Sequence, residues 1–229
     1  MTTTPSSPTT RSSPLREARV RLRGESLVLL PERAAYWTGG KTLLVADAHF
    51  GKAASFRASG VPVPRGTTSE NLARLDRMLE RHPAERIVFL GDLLHSAAGR
   101  QDATLQAMAA WRTRRRELAL VLVRGNHDAN AGDPPAALGF EVHPGALQVG
   151  PFSFCHEHHE AALGYPVAGH MHPAVRISGG GESVRLPCFW FTRGFALLPA
   201  FGSFTGSATI ERGASDRVYA VAEDTVIRV

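Results

Sequence analysis

Three short apolar runs in the first half of the chain each end in polar residues. They cover residues 42–46, 87–90 and 118–123, and continuous apolar runs of this length are typical of strands that are buried on both faces. Between them, apolar residues at helical spacing predict helices over residues 67–81 and 104–115. Strands that alternate with helices in this way predict an α/β core around a largely parallel sheet.

The pattern changes after Leu138, where short apolar segments follow one another at close spacing. Because Gly and Pro separate many of these segments, they predict strands joined by turns. A further strand is predicted at residues 26–30, before a Gly39-Gly40 turn, and the two prolines within residues 61–64 predict a loop. The second half therefore predicts a second, more antiparallel sheet, with strands at residues 152–155, 167–168, 175–177, 189–191, 208–210, 218–221 and 225–229.

The composition is that of an ordinary folded domain with a polar N-terminal tail. Of the 229 residues, 43% are hydrophobic and 21% are charged, as in most globular proteins. Residues 1–14 are rich in Thr, Ser and Pro and predict a disordered tail, because they cannot bury enough apolar surface to offset the entropy of ordering. Residues 15–229 are then expected to form a single domain.

Charge and cysteine usage bear on partners and location. The net charge of +5 favours a polyanion such as nucleic acid, although an arginine bias of the genome explains the same excess equally well. Cys155 and Cys188 show no metal-binding or redox spacing, so two reduced thiols are expected. With no apolar run long enough to cross a bilayer and no secretory signal, these features predict a cytoplasmic protein without a membrane partner.

Side chains of metal-binding type follow the predicted strands, at the point where each strand ends. In open α/β sheets, ligands bind at the carboxyl ends of the strands. These side chains are therefore expected to gather at one edge of the molecule. In chain order they are Asp47, His49, Asp92, Asn126, His127, Asp128, His156, His170 and His172.

This set of donors predicts a centre for two divalent metal ions. Asp and Asn supply oxygen and neutral His supplies nitrogen, a mixture that suits manganese, zinc or iron better than calcium or magnesium. The set is large enough for two ions if one carboxylate bridges them. Two ions about 3.5–4 Å apart can activate a water molecule for in-line attack on a phosphate.

Each motif alone has a simpler explanation. A Gly-Asp pair after a strand is usually a turn, and an Asp-x-His pair carries little information. The run at residues 125–128 is more specific, since a fold has no obvious use for three consecutive polar side chains after a buried strand. The whole set in this order favours catalysis.

One ligand position is ambiguous, because the run at residues 156–159 contains three histidines. His156 is preferred because it comes first after the predicted strand. His158 and His159 are expected to be solvated residues at the rim of the site.

The motifs resemble those of the calcineurin-like metallophosphoesterases in order and spacing. The resemblance covers roughly residues 43–172 and implies a four-layer αββα sandwich of two mixed β-sheets flanked by helices. The residues that carry it are Asp47-x-His49, Gly91-Asp92, Gly125-Asn126-His127-Asp128, His156 and Gly169-His170-x-His172.

The resemblance also implies a role for each matching residue. One metal ion would be held by Asp47, His49 and His172, and the other by Asn126, His156 and His170. Asp92 would bridge the two ions. His127 would donate to the phosphate or the leaving oxygen, and Asp128 would orient its ring.

A narrower resemblance concerns the bacterial ligase-associated DNA damage response endonucleases, often called PdeM. It rests on residues 49–52, 60–64, 187–190 and 198–206, together with Arg57. This resemblance implies DNA as the substrate, and a DNA ligase or helicase of a repair system as partner. Manganese is then the first choice of metal, with zinc or iron as alternatives.

Four cationic or ionisable residues are candidates for contacting substrate phosphates. Lys52, Arg57 and Arg65 are expected on a loop after the first ligand pair, and His95 follows Asp92. The alternative is that the three basic residues form a solvated loop and that His95 faces solvent.

Two other functions remain open at this point. The chain could act on small molecules as a phosphomonoesterase, a cyclic-nucleotide phosphodiesterase or a nucleotide-sugar pyrophosphatase. It could also be a non-catalytic scaffold, which is the least favoured hypothesis because every motif position holds a competent residue.

Overall fold

The structure is a computed structural model that describes residues 15–64, 66–100, 102–161 and 163–229. The predicted tail at residues 1–14 and the candidate substrate contact Arg65 lie outside the described residues. None of the described helices combines the length and the apolar character that crossing a membrane requires.

The first sheet contains strands that lie side by side in chain order. They are β1 (Ala18–Leu22), β2 (Glu25–Leu30), β3 (Ala34–Trp37), β4 (Thr42–Ala46), β5 (Arg86–Leu90), β6 (Ala119–Val123) and β7 (Phe140–His143). Strands β1 to β4 pair antiparallel, and β4 to β7 pair in parallel. The three buried strands predicted from apolar runs are confirmed as β4, β5 and β6, within one residue at each end.

Helices cover the outer face of the first sheet. They are α1 (Lys52–Ala58), α2 (Thr67–Arg81), α3 (Asp102–Arg114) and α4 (Asn126–Ala131). Leu75 and Met78 of α2 pack with Met108 and Trp111 of α3 against the sheet, as the helical spacing of these apolar residues requires. The predicted bounds of α2 are confirmed at both ends, and α3 begins two residues earlier and ends one residue earlier than predicted.

The second half of the chain forms a second mixed sheet. Its strands are β8 (Leu147–Val149), β9 (Phe152–Phe154), β10 (Tyr165–Ala168), β11 (Pro173–Gly179), β12 (Glu182–Phe191), β13 (Ala196–Leu197), β14 (Ala208–Thr209), β15 (Arg217–Ala222) and β16 (Thr225–Arg228). Most pairs are antiparallel, while β10 runs parallel to β9 and β13, and β14 runs parallel to β11. The second sheet is therefore more antiparallel than the first, as predicted. The first sheet is less parallel than predicted, because only β4 to β7 pair in parallel and β1 to β4 pair antiparallel.

The two sheets pack face to face, which confirms the predicted sandwich. Leu44 and Val88 from the first sheet share one apolar core with Phe154, Phe189 and Phe191 from the second. Among the described residues no α-helix follows Ala131. The helical layer of this chain therefore lies on the first sheet, and the outer face of the second sheet packs only side chains from its own strands and loops.

Candidate metal centre

Loops at one edge of the sandwich bring the predicted ligands together. The first sheet supplies four of them from the segments after β4, β5 and β6, and the second sheet supplies three from the segments after β9 and β10. The His170 amide donates to Asp47 Oδ2 over 3.0 Å and so links the two sheets at this edge. The residues gathered here are Asp47, His49, Asp92, Asn126, His156, His170 and His172.

One half of the cluster surrounds the ring of His156. Its Nε2 atom lies 2.9 Å from Asn126 Oδ1, 3.0 Å from His170 Nδ1 and 3.5 Å from Asp92 Oδ1. Ligand atoms held about 2.1 Å from one ion at right angles lie about 3 Å apart. These separations therefore fit a metal ion held between the four side chains.

The other half of the cluster contains Asp47, His49 and His172, whose ligand atoms lie within 4.8 Å of one another. His172 Nε2 is 3.4 Å from Asp47 Oδ1, and His49 Nε2 is 3.7 Å from Asp92 Oδ2. Asp92 thus turns Oδ1 toward His156 and Oδ2 toward His49. This placement suits a carboxylate that bridges two ions.

Burial of the carboxylates supports the same interpretation. Asp47 is 0% and Asp92 3% exposed, and neither forms an ion pair with Lys or Arg among the described residues. Burial, reinforced by the charge of Asp47, raises the pKa of Asp92. Buried carboxylates are costly unless they are paired or coordinate a metal, so this donor set fits divalent cations.

Backbone carbonyls orient two of the predicted ligand imidazoles. His172 Nδ1 donates to the Gly206 carbonyl over 3.1 Å, and His156 Nδ1 donates to the Leu90 carbonyl over 3.0 Å. A carbonyl acceptor at Nδ1 leaves the lone pair of a neutral ring on Nε2, the atom that faces the carboxylates. The rings are therefore oriented for coordination through Nε2.

The backbone of the cluster is strained. Five of the predicted ligands have φ between 45° and 64°, a region that non-glycine residues rarely adopt. Each such residue costs about 1–3 kcal/mol, and strain of this kind concentrates at functional sites. The residues are Asp47, His49, Asp92, His170 and His172.

His127 lies at the open side of the cluster and has a half-exposed side chain. Its Nδ1 donates to the backbone carbonyl of His95 over 2.8 Å, and its Nε2 lies 3.9 Å from Asp92 Oδ2. The ring therefore presents Nε2 to the space above the bridging carboxylate.

The expectation that Asp128 orients the ring of His127 is wrong. Asp128 is 1% exposed, and its Oδ1 accepts from the amides of Leu93 and Leu94 over 3.0 and 3.3 Å. Its Oδ2 accepts from the Gly125 amide over 2.9 Å. Because α4 begins at residue 126, the Asp128 carboxylate turns back toward the helix start and binds backbone, and the His95 carbonyl orients His127 instead.

The predicted substrate contacts have different surroundings. Lys52 begins α1 and is half-buried; burial lowers its pKa, while the charges of Asp92 and Asp47 act in the opposite direction. Arg57 donates to the Pro64 carbonyl over 2.7 Å and so braces the loop ahead of α2. Lys52 is therefore close enough to the cluster to interact with its carboxylates, whereas Arg57 has a structural partner of its own. Both residues lie on α1 and not on the expected loop.

His95 is half-buried and packs at the edge of the cluster, since its Nδ1 lies 3.4 Å from His49 Nδ1 and its ring stacks on His127. Burial, followed by the charges of Lys52 and His127, lowers the pKa of His95 to about 4. Burial likewise lowers the pKa of His49 to about 2. Both rings are therefore neutral near pH 7, as a metal ligand and a ring packed against it must be.

The structure also separates the three competing histidines. His156 is 1% exposed and lies in the cluster. His158 packs against Phe195 with ring centroids 4.3 Å apart, and His159 is exposed. Glu157, which the sequence did not single out, places Oε1 3.9 Å from His170 Nε2. The only sequence signal for a role of Glu157 is its position next to His156.

Comparison with known proteins agrees with this geometry. Residues 40–188 match the calcineurin-like phosphoesterase family. The chain belongs to that family. It is therefore a metal-dependent phosphoric ester hydrolase, and its Asp/His cluster is compatible with the metal site of such an enzyme.

Two solved structures are similar to this calcineurin-like phosphoesterase. A Pseudomonas putida nuclease, MPE, is 40% identical with a TM-score of 0.83, over 93% of this chain and 100% of that chain. Yfce, a phosphoesterase from E. coli, is 16% identical with a TM-score of 0.44, over 82% of this chain and 97% of that one, and is too distant to support an argument. A comparison with curated protein sequences finds no match.

Proposed function

We propose that this calcineurin-like phosphoesterase is a manganese-dependent phosphodiesterase that cleaves DNA. The observation that supports this proposal most directly is the 40% identity to a nuclease along that protein's whole length. The mixed oxygen and nitrogen donors suit manganese, with zinc or iron as alternatives. Action in DNA repair beside a ligase or helicase, and a cytoplasmic location, stay predictions.

The proposed ligand sets follow the two halves of the cluster. Asp47, His49 and His172 would hold one ion, and Asp92 would contribute to both because it turns one oxygen toward each half. The second ion would be held by Asn126, His156 and His170. Bound ions would supply positive charge to a phosphate diester and lower the pKa of a coordinated water.

His127 is proposed to act on the leaving oxygen. Its Nδ1 keeps a hydrogen because it donates to the His95 carbonyl, so Nε2 is the atom that gains and loses a proton. In the protonated ring, Nε2 donates to a phosphate or leaving oxygen above Asp92. Asp128 supports this chemistry indirectly, because it fixes the backbone on both sides of the cluster.

Lys52 is proposed to contact the substrate phosphates. It lies near Asp92 and Asp47 at the start of α1. An ammonium group is a compact charge that attracts phosphates without fixing their orientation.

The test compares bis-p-nitrophenyl phosphate, p-nitrophenyl phosphate and DNA as substrates, with Mn²⁺ and with chelator. We expect Mn²⁺-dependent cleavage of the diester and of DNA. Asp92→Asn should reduce both rates by at least about 100-fold, because the bridging charge is worth several kcal/mol in the transition state. Asp224→Asn, at an exposed aspartate far along the chain, is the matched control and should retain wild-type rates.

Three results would contradict the proposal. Turnover of the monoester alone would identify a phosphatase of small molecules. Wild-type turnover by Asp92→Asn would remove the bridging assignment. DNA cleavage that is insensitive to salt would argue against DNA as the natural substrate, because contacts to several phosphates weaken steeply as salt rises.

A further inference from the structure

The ring of His49 differs from the rings of His156 and His172 in the group that its Nδ1 atom contacts. His156 and His172 donate from Nδ1 to backbone carbonyls. The only hydrogen-bond partner of the His49 ring among the described residues is another side chain, His95, whose Nδ1 lies 3.4 Å from His49 Nδ1. Since His49 is only 4% exposed, water has little access to that nitrogen.

The backbone places His95 beside His49 in a fixed register. The segment after β5 continues alongside the segment after β4, beyond the regular sheet. The His49 amide donates to the Asp92 carbonyl over 2.8 Å, and the His95 amide donates to the Phe50 carbonyl over 3.1 Å. The two histidines therefore face each other on neighbouring, hydrogen-bonded segments.

The ring of His95 is fixed on its other sides as well. It stacks on His127 with ring centroids 5.1 Å apart and an interplanar angle of 22°. Phe56 meets it edge-on at 5.9 Å. A ring packed in this way has a defined direction for its Nδ1 lone pair, and that direction leads to His49.

We propose that His95 is a positioning residue that accepts a hydrogen bond from His49 Nδ1 and so directs His49 Nε2 toward a metal ion. This inference rests on the metal centre of the proposed function. The acceptor keeps the hydrogen of the neutral His49 ring on Nδ1, which frees the Nε2 lone pair for coordination. His95 Nε2 then carries the hydrogen of its own ring, and His95 does not coordinate an ion itself.

The test distinguishes the effect of the hydrogen-bond acceptor at residue 95 from the effect of the packed ring. His95→Asn keeps an acceptor, because the amide oxygen and Nδ1 are both attached to Cγ. His95→Phe keeps a flat ring against His127 and Phe56 but has no acceptor, and His95→Ala has neither. In all three variants the residue 95 carbonyl that orients His127 remains in place.

Manganese binding is the readout, measured by titrating Mn²⁺ into chelator-treated full-length protein and following free Mn²⁺ by electron paramagnetic resonance. We expect two Mn²⁺ ions per wild-type chain. His95→Phe and His95→Ala should weaken one of the two sites about 10–100-fold, the usual effect of losing the partner behind a metal ligand. His95→Asn should stay close to wild type, and thermal melts in chelator will show that the variants are folded.

The possible results distinguish failure of this inference from failure of the proposed function. Unchanged affinity in folded His95→Phe would overturn the role of His95 while leaving the metal centre intact. A loss in His95→Asn as large as that in His95→Ala would show that the acceptor is not what matters. Three ions in wild type and two in His95→Ala would make His95 a ligand, and no Mn²⁺ binding by wild type would overturn the metal centre together with this inference.

Discussion

Replacement of Asp128 by Asn should destabilise the protein substantially, although the two side chains have the same shape. The Asp128 carboxylate accepts from three buried amides. An Asn oxygen can still accept from Leu93 and Leu94, but the amide nitrogen then faces the Gly125 N–H, so one buried donor is left without a partner. Leaving a buried donor unsatisfied costs about 1–3 kcal/mol, and hydrogen bonds to a charged acceptor exceed neutral ones by about 1 kcal/mol each.

The expected net loss is about 3 kcal/mol, because removing a buried charge returns part of that cost. Burial raises the pKa of Asp128, which is a measure of that unfavourable charge burial. For a chain of this size, about 3 kcal/mol corresponds to a fall in Tm of about 6–12 °C. Asp224→Asn is again the exposed control and should leave Tm unchanged.

The assay is a thermal melt of Asp128→Asn in the wild-type and in the His127→Ala backgrounds. If Asp128 binds only backbone, the fall in Tm should be the same in both, since effects of residues that do not interact add. If instead the carboxylate acted through the His127 ring, the loss would be smaller in His127→Ala. A substantial difference between the two backgrounds, or no change in Tm in either, would refute the contacts described for Asp128.

Two further predictions concern the backbone of the centre and its metal. Gly125→Ala should reduce the steady-state rate at least about 100-fold, because the added Cβ would collide with Asp92, and displacing a reacting group by about 1 Å has an effect of this size. Backbone strain is not the cause, since φ at residue 125 is an ordinary −100°. Gly145→Ala is the control, because a Cβ at that position meets open space. Saturating Mn²⁺ should raise Tm relative to chelated protein, because each site adds about 2.7 kcal/mol to the free energy of unfolding at 100 times its Kd. Scanning calorimetry should show a smaller rise in Tm for Asp92→Asn.

The sequence predicted best those strands and helices whose burial pattern is simple. Strands β4, β5 and β6 are buried on both faces, so their apolar runs are continuous, and α2 has one apolar face. The pattern did not predict β1, β3, β7, β8 and β13, nor the short helices α1 and α4. Segments this short have too few residues to show a period, and pairing with neighbouring strands decides their conformation.

The clustering of the proposed ligands could be predicted because each follows a recognisable strand, whereas the groups that orient them could not. The carbonyls of Leu90 and Gly206 hold His156 and His172, and every residue has a carbonyl, so no sequence signal marks them. Asp128 shows the same limit, because the family resemblance implied that it orients the ring of His127. The turn into α4 directs the carboxylate to Leu93 and Gly125 instead.

The candidate metal centre combines strain and buried charge, and both sheets contribute to holding it. Positive φ at Asp47 and Asp92 and the burial of their carboxylates oppose folding. Two hydrogen bonds oppose this cost: the Gly202 amide donates to the Asp47 carbonyl over 3.0 Å, and the Phe201 amide donates to the Ala46 carbonyl over 2.8 Å. The segment after β13 therefore continues the pairing of β4. Divalent ions would neutralise the same carboxylates, which couples metal binding to the packing of the two sheets. A substitution that loosens this edge should therefore weaken metal affinity before it unfolds the sandwich core, because the apolar contacts between the sheets do not depend on the ligands.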